Sequence, residues 1–465
     1  MQNASQSLPM NKDDHPQPPG LVAENDRKGL IVLATLSILA GAASGLVGAV
    51  FRRMLEQSDL LRNSFIKWSY QHGILGFLLV VVVIASAVTV AAWLVRRFSP
   101  EATGSGIPNV EAILNKGRTP VAYILIPVKF VGGILAIGAG LALGREGPTV
   151  QLGATVSHWI GHICRLSASD AKILLASGAG AGLATAFNSP IAGSIFVLEE
   201  LMKRFDTRIT IATLGASASA IAIARMILGQ KPDFPIAAID YPTPESLIFF
   251  AILGLILGLC GVAYNYAILN SLRLANRATS IPVELRAAVI GIGLGVLAWY
   301  LPASVGGGDN ITASVLSGTA VLRTLLALFA LRFVLGAVSY SAGTPGGLFA
   351  PILVLGSQIG LLFGTYSAQW FPTMGIEPRG FAVTGMAAFF TAVVRAPLTG
   401  IVLVIELTAS ETQLLAMLAA CFTAMLVPTM LGSAPIYDSL GEPEFAPKLH
   451  HDRTIPLGPD KTRSK

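Results

Sequence analysis

The chain has 465 residues, of which 53% are hydrophobic and 12% charged, against about 25% charged in an average soluble protein. Burial of so much apolar surface in one water-soluble core is excluded, and the composition is that of a polytopic membrane protein. The formal charge of +6 comes with no basic domain separate from the apolar runs, so nucleic acid is not an expected partner.

Residues 1–28 are rich in Asn, Gln, Pro, Asp and Lys and contain no apolar stretch; they read as a disordered polar tail and not as a signal peptide. About eleven apolar runs follow, with roughly the 20 residues needed to cross a bilayer; they begin near Gly29, Ile74, Val121, Ile173, Ile209, Leu247, Ala287, Val321, Ala350, Phe381 and Leu414. Gly29 to Phe51 and Ile74 to Val95 are strong spans joined by a polar, partly amphipathic connection. Arg27 and Lys28 before the first span are matched by Arg52 and Arg53 after it, so basic residues do not orient it. Many runs are broken by glycine or proline, which membranes tolerate only where protein or a water-filled cavity satisfies the freed backbone. Broken helices are a transporter habit.

The stretch Gly104-Ser105-Gly106-Ile107-Pro108 sets a hydroxyl between two glycines. Taken alone, Ser105 reads as a turn residue; the alternative is an open hydroxyl facing a ligand. Next, Gly144-Arg145-Glu146-Gly147-Pro148 places two charges between long apolar runs, and a charge deep in a bilayer costs about 2.5 to 3.5 kcal/mol. Pro148 suits the first turn of a helix. A helix starting there would aim its free N–H groups and positive dipole end into the protein, making an anion site with its own carboxylate alongside. The alternative is a loop pair at the membrane surface, and the motif alone does not fix its depth. Ile173 to Glu200 is apolar until it ends in Glu199-Glu200, with a small-residue stretch, Gly178 to Gly182, suited to close helix packing. The three cysteines, Cys164, Cys260 and Cys421, lie far apart and read as packing residues.

The second half repeats the first. At an offset of 203, nine residues of the ungapped window Phe130 to Gly153 recur in Phe333 to Gly356, including Gly144/Gly347, Pro148/Pro351 and Gly153/Gly356. At an offset of 207, Gly178, Pro190, Gly193 and Glu199 recur as Gly385, Pro397, Gly400 and Glu406. Two repeats, about 29–230 and 245–437, with paired broken helices put a substrate site at their interface, near mid-membrane. Arg145 and Glu146 fall opposite Leu348 and Phe349, and Glu200 opposite Leu407. A shared glutamate, Glu199, is expected to be architectural, whereas the unshared Glu200 suggests a special task. Beyond the last run, Tyr437 is either an interfacial anchor or a phenol reaching back into the bundle. Residues 438–465 form a short polar tail.

With these residues in hand, the chain resembles the CLC family of chloride channels and proton-coupled chloride exchangers. Gly104-Ser105-Gly106-Ile107-Pro108, Gly144-Arg145-Glu146-Gly147-Pro148 and Gly347-Leu348-Phe349-Ala350-Pro351 match its three filter motifs in order and spacing. The resemblance implies an all-α, multi-pass protein of the inner or plasma membrane, built of two inverted repeats with re-entrant helices. It also implies a homodimer with one anion pathway per subunit. It further implies chloride binding by Ser105, Leu348, Phe349 and Tyr437, an external gate and proton acceptor at Glu146, and an internal proton acceptor at Glu200. Ser105 in place of a proline implies chloride over nitrate, and Glu200, an acid that channel members commonly lack, leans toward exchange. Leu348 departs mildly from the isoleucine frequent there. A passive chloride channel of the same fold and a transporter of another anion are the competing readings. No metal or cofactor is expected, since the six histidines show no ligand spacing and no nucleophile-base pair occurs.

Overall fold

Inside a bilayer every backbone N–H and C=O must find a partner within the protein, and this chain meets the demand almost wholly with helices. The computed structural model describes residues 19–445 apart from 121, 238 and 279. Among the described residues there are seventeen α-helices. The first half holds α1 (Pro19–Ser69), α2 (Gly73–Phe98), α3 (Ile107–Asn115), α4 (Leu125–Gly138), α5 (Glu146–Ile163), α6 (Ala168–Phe187), α7 (Pro190–Phe196) and α8 (Thr207–Leu228). The second half holds α9 (Leu247–Arg277), α10 (Val283–Tyr300), α11 (Asp309–Leu316), α12 (Leu322–Tyr340), α13 (Phe349–Trp370), α14 (Pro378–Val394), α15 (Pro397–Thr408) and α16 (Leu414–Met430), with a short α17 (Ile436–Leu440) at the end.

The eight helices of each half follow one another in the same order, long and short elements alternating alike. Their packing also repeats: α5 lies on α6 as α13 lies on α14, and α1 on α8 as α9 on α16. Close approach of backbones holds the first of these pairs, since a methyl on Gly178 would strike the Gly153 carbonyl and one on Gly385 the Gly356 carbonyl. Across the boundary, α2 meets α10, α5 meets α13 and α7 meets α15. Three helices touching their own counterparts make the contact pattern of a two-fold relation.

The number of spans and the positions of both tail boundaries differ from expectation. Of about eleven expected spans, six apolar helical stretches are long enough to cross a bilayer: 27–98 (α1 with α2), α8, α9, α10, α12 and α13; α4, α14, α15 and α16 are apolar but shorter. The polar, partly amphipathic connection after Phe51 is a helical continuation of α1, which runs unbroken to Ser69, carried by helix formers such as Leu55, Leu60 and Leu61. Helix α1 already starts at Pro19, so the boundary expected at residue 28 falls inside a helix. Residues 1–18 lie outside the described residues. At the other end, Ser439 and Leu440 are buried and Glu444 pairs with Arg273, so the body extends past the boundary expected at 437. Residues 446–465 lie outside the described residues.

Candidate functional site: three helix starts around one carboxylate

Helix α4 has 14 residues, about 21 Å at 1.5 Å per residue, against roughly 30 Å of bilayer core. It stops inside the protein, and the chain then turns back through residues 139–145 into α5. The second motif is therefore interior: Glu146 is 1% exposed and heads α5, with Pro148 in its first turn. Helix α13 begins at Phe349 with Pro351 in the equivalent place. Proline costs nothing there, because the first turn has no intrahelical acceptor to lose.

The two starts face each other through a pair of reciprocal bonds: the Gly144 amide donates to the Gly347 carbonyl at 2.8 Å and the Gly347 amide to the Gly144 carbonyl at 2.7 Å. The first motif joins the same knot. The Gly104 amide donates to the Thr344 carbonyl (2.9 Å) and the Gly346 amide to the Gly104 carbonyl (3.0 Å). Gly106 begins α3 at φ 83° and Gly308 begins α11 at φ 99°, left-handed positions that favour glycine. Ser105 packs directly on Gly147, where a Cβ would overlap it.

Glu146 turns its carboxylate toward the opposing helix. Oε2 accepts a long hydrogen bond, 3.5 Å, from the Ala350 amide, and Oε1 has no partner. A side chain on Gly144 would overlap this carboxylate, so the glycine leaves room for it. Around the same spot lie two buried hydroxyls without partners, those of Ser105 and Tyr437, both 0% exposed. Tyr437 is not at the interface; α17 folds it inward until its ring stacks on Phe349, 6.1 Å between centroids at 24°. Phe349 itself packs against Phe187, Phe196 and Phe390, and Leu348 and Pro351 are buried. Orphan buried hydroxyls cost free energy unless something accepts from them, and beside free helix N-termini the fitting guest is a small anion.

Arg145 turns away from this centre. Its guanidinium donates to the Ala186 carbonyl (3.0 Å), Asp233 (2.9 Å) and Asp309 (3.2 Å), and Asp233 also holds Arg52 at 2.6 Å. Arg145 and Asp309 line one side of a cavity of about 580 Å³ that reaches Glu146 and Ala350, with Asp59 and Arg62 also on its wall. Arg145 thus supplies a paired charge at the cavity wall.

The pair Glu199-Glu200 sits on a π-helical turn, Val197–Leu201, that follows α7. Such turns change which way successive side chains point and recur at functional sites. Glu199 reaches across to the other repeat and accepts from the Leu398 amide (3.0 Å), the Thr399 amide (2.7 Å) and the Thr399 hydroxyl (2.8 Å) at the start of α15. Its twin Glu406 does the same for α7, accepting from the Ile191 (3.1 Å) and Ala192 (2.8 Å) amides. The shared glutamates are reciprocal helix caps. Glu200 is 5% exposed and its Oε1 has no partner; α15 runs through the equivalent region as an α-helix. Tyr437 lies within electrostatic reach of both Glu146 and Glu200.

Three supports were missed in the sequence. The Tyr340 hydroxyl accepts from the Ser105 amide at 3.3 Å. Lys129, fully buried in α4, donates to the Ala102 and Gly104 carbonyls at 2.9 and 2.7 Å. Arg332, buried in α12, donates to the Ser304, Gly306 and Gly307 carbonyls. Lys129 and Arg332 are repeat counterparts at the same offset of 203, each pinning the loop before a short helix. A lone cation in register in both apolar runs was the available signal.

Comparison with known proteins settles the family. A profile described as voltage gated chloride channel matches residues 87–429. The chain belongs to this family, the CLC proteins. Among its CLC relatives, the H(+)/Cl(-) exchange transporter ClcA of Vibrio cholerae serotype O1 (strain M66-2) is 38% identical over 411 residues, 87% of this chain and 88% of that one. The crystal structure of a slow cyanobacterial Cl-/H+ antiporter superposes with a TM-score of 0.85 at 33% identity, over 89% of this chain and 98% of the other. A CLC-type fluoride/proton antiporter superposes at 0.74 with 23% identity, over 85% and 95%, a likeness of fold alone. Among the described residues α3, α4 and α7 are too short to cross a bilayer core of roughly 30 Å at 1.5 Å per residue.

Proposed function

We propose that this protein moves chloride across the membrane in exchange for protons, as a multi-pass protein of the cell's inner or plasma membrane. The observation that carries the reading is the Glu146 carboxylate lying against the opposing helix start, where an anion would also be drawn. Ionised, it competes with chloride for the positive ends of α5 and α13; protonated, it loses that attraction and leaves. Proton and anion occupancy are then coupled through one position. Chloride is held by the Ser105 and Tyr437 hydroxyls and by the first amides of α13 at Leu348 and Phe349. The remaining motif residues, Gly104, Gly106, Ile107, Pro108, Gly144, Arg145, Gly147, Gly347, Ala350 and Pro351, shape and position that filter. Dipoles and hydroxyls in place of a full positive charge keep binding weak enough for release. Glu200, buried on the π-helical turn after α7, takes protons from the cytoplasmic water. The resemblance to the family also supports a homodimer with a separate pathway in each subunit.

The test is coupled transport by the purified protein in lipid vesicles. Chloride run down its gradient is expected to drive protons uphill, with a reversal potential set by both ions. A reversal potential that follows chloride alone would show a passive channel instead.

Chloride selectivity gives a second measurement. Ser105→Pro removes the hydroxyl and the amide that bonds Tyr340. One hydrogen bond lost from the ligand is about 1 kcal/mol, so the chloride-to-nitrate preference in bi-ionic measurements is expected to fall about fivefold. An unchanged preference would return Ser105 to the role of a turn residue.

A further inference from the structure

Glu200 is approached by an ion triad drawn from three separate elements. The Lys203 ammonium lies 2.9 Å from Glu111 on α3 and 2.9 Å from Asp438 on α17. Lys203 is reached from the π-helical turn in a left-handed backbone conformation, φ 52°, which costs about 1 kcal/mol or more in a residue with a side chain. Such a conformation persists only where surrounding contacts impose it. They do so here: the Arg204 amide donates to the Leu198 carbonyl (3.0 Å), and Asn115 of α3 donates to the Leu201 carbonyl (3.0 Å). The Lys203 side chain is 46% exposed, whereas that of Glu111 is 10% exposed. One face of the triad therefore meets water and the other is buried.

The charges that act most on Glu200 are those of Glu111, Lys203, Asp438 and Glu199. Glu199 is committed to capping α15. Helices α6, α7 and α8, which also pack on the turn, present none of these groups. Lys116 of α3 is turned to the Gly441 carbonyl at 3.4 Å. Glu200 thus sits beside two carboxylates with Lys203 as the one cation among them, and its own Oε1 is buried without a partner. A carboxylate disfavours and a cation favours the ionised form of a neighbouring carboxyl, so Lys203 offsets Glu111 and Asp438 where they face Glu200.

We propose that Lys203 is a positioning residue for proton transfer: by pairing Glu111 with Asp438 next to Glu200 it lets Glu200 release the proton it takes up. The proposal rests on the exchange reading of Glu200 given above. It also explains why Asp438 directly follows Tyr437, since the same short helix delivers the phenol to the anion site and the carboxylate to the triad.

The experiment compares reconstituted unmodified protein with Lys203→Met, Lys203→Arg and the double variant Lys203→Met/Asp438→Asn, measuring chloride efflux and proton uptake in the same vesicles. Loss of a neighbouring positive charge changes the ratio of protonated to ionised carboxyl by about tenfold or more. Lys203→Met is therefore expected to lower protons moved per chloride by about tenfold with chloride efflux retained. Lys203→Arg and the double variant, in which one positive and one negative charge leave together, are expected to restore the ratio to within about twofold. A merely structural lysine would lower both fluxes together and would not be rescued by removing Asp438. Should Lys203→Met fail to reconstitute, Lys203→Gln takes its place in the comparison. An unaltered ratio in the single variant, or a double variant as impaired as the single, overturns the proposal. Absence of proton uptake in the unmodified protein overturns the exchange reading and this proposal with it.

Discussion

In vesicles containing Glu200→Gln, chloride is expected to run down its gradient while uphill proton movement disappears. Amide for carboxylate keeps the shape and reach of the side chain but removes the titratable group. The Glu200 Oε1 makes no hydrogen bond, so the change breaks none at that atom. Nor does Glu200 hydrogen-bond to Ser105, Tyr437 or Glu146, whose free oxygens are likewise without partners. Glu199→Gln is the paired control and is expected to behave in the opposite way. Its carboxylate accepts three hydrogen bonds at the start of α15, and an amide has one oxygen to offer. A hydrogen bond lost at such a partly exposed cap costs about 1 kcal/mol, so this variant is expected to unfold at lower temperature in detergent yet retain proton coupling. Proton pumping that persists in Glu200→Gln, or is lost in Glu199→Gln while its chloride flux survives, would refute the assignment of roles to the two neighbours.

Glu146→Gln is expected to produce chloride flux that no longer responds to pH and no longer carries protons. The neutral amide imitates the protonated acid at all pH values, and it loses the attraction that holds the carboxylate against the start of α13. Among the groups of the two facing helix starts, Glu146 is the titratable one in contact with the opposing backbone, through the Ala350 amide; Arg145 is occupied with Asp233 and Asp309. Chloride efflux measured between about pH 4 and pH 8, a range that spans ordinary carboxyl titration, should therefore be flat in the variant and sloped in the unmodified protein. A slope preserved in Glu146→Gln would mean that another group gates the pathway.

Much of this site could be read in the sequence because glycine, proline and charge are conspicuous against apolar runs. The repeat offset brought Gly144 and Gly347 into correspondence before their backbones were seen to bond. The contrast between shared Glu199 and unshared Glu200 carried over into one capping carboxylate and one with an unpartnered oxygen. What the sequence left open were matters of depth and direction. The run from Val121 to Leu143 was long enough to cross, but its helix ends at Gly138, and only then does Glu146 become interior. Arg145 stood beside Glu146 in the chain, yet its side chain leaves toward Asp233, 88 residues away. The connection after Phe51 read as polar and partly amphipathic, and its depth was open; it continues α1 with Leu55, Leu60, Glu56, Asp59 and Arg62 facing the cavity. The triad joins Lys203 to Asp438 across 235 residues, a separation at which no local pattern informs.

The reciprocal caps bear on how quickly the two halves could move past each other. Five hydrogen bonds from Glu199 and Glu406 cross the boundary between them. These caps are partly exposed, so about 1 kcal/mol apiece is a fair value, or about 5 kcal/mol to part both at once. A barrier raised by that amount slows a step by between three and four powers of ten, at roughly 1.4 kcal/mol per power. A cycle that rocked one half against the other would lag that far behind one in which they stay joined. The two glutamates thus tie the halves together at the pair of helix starts they cap, and a rocking cycle would have to release both ties.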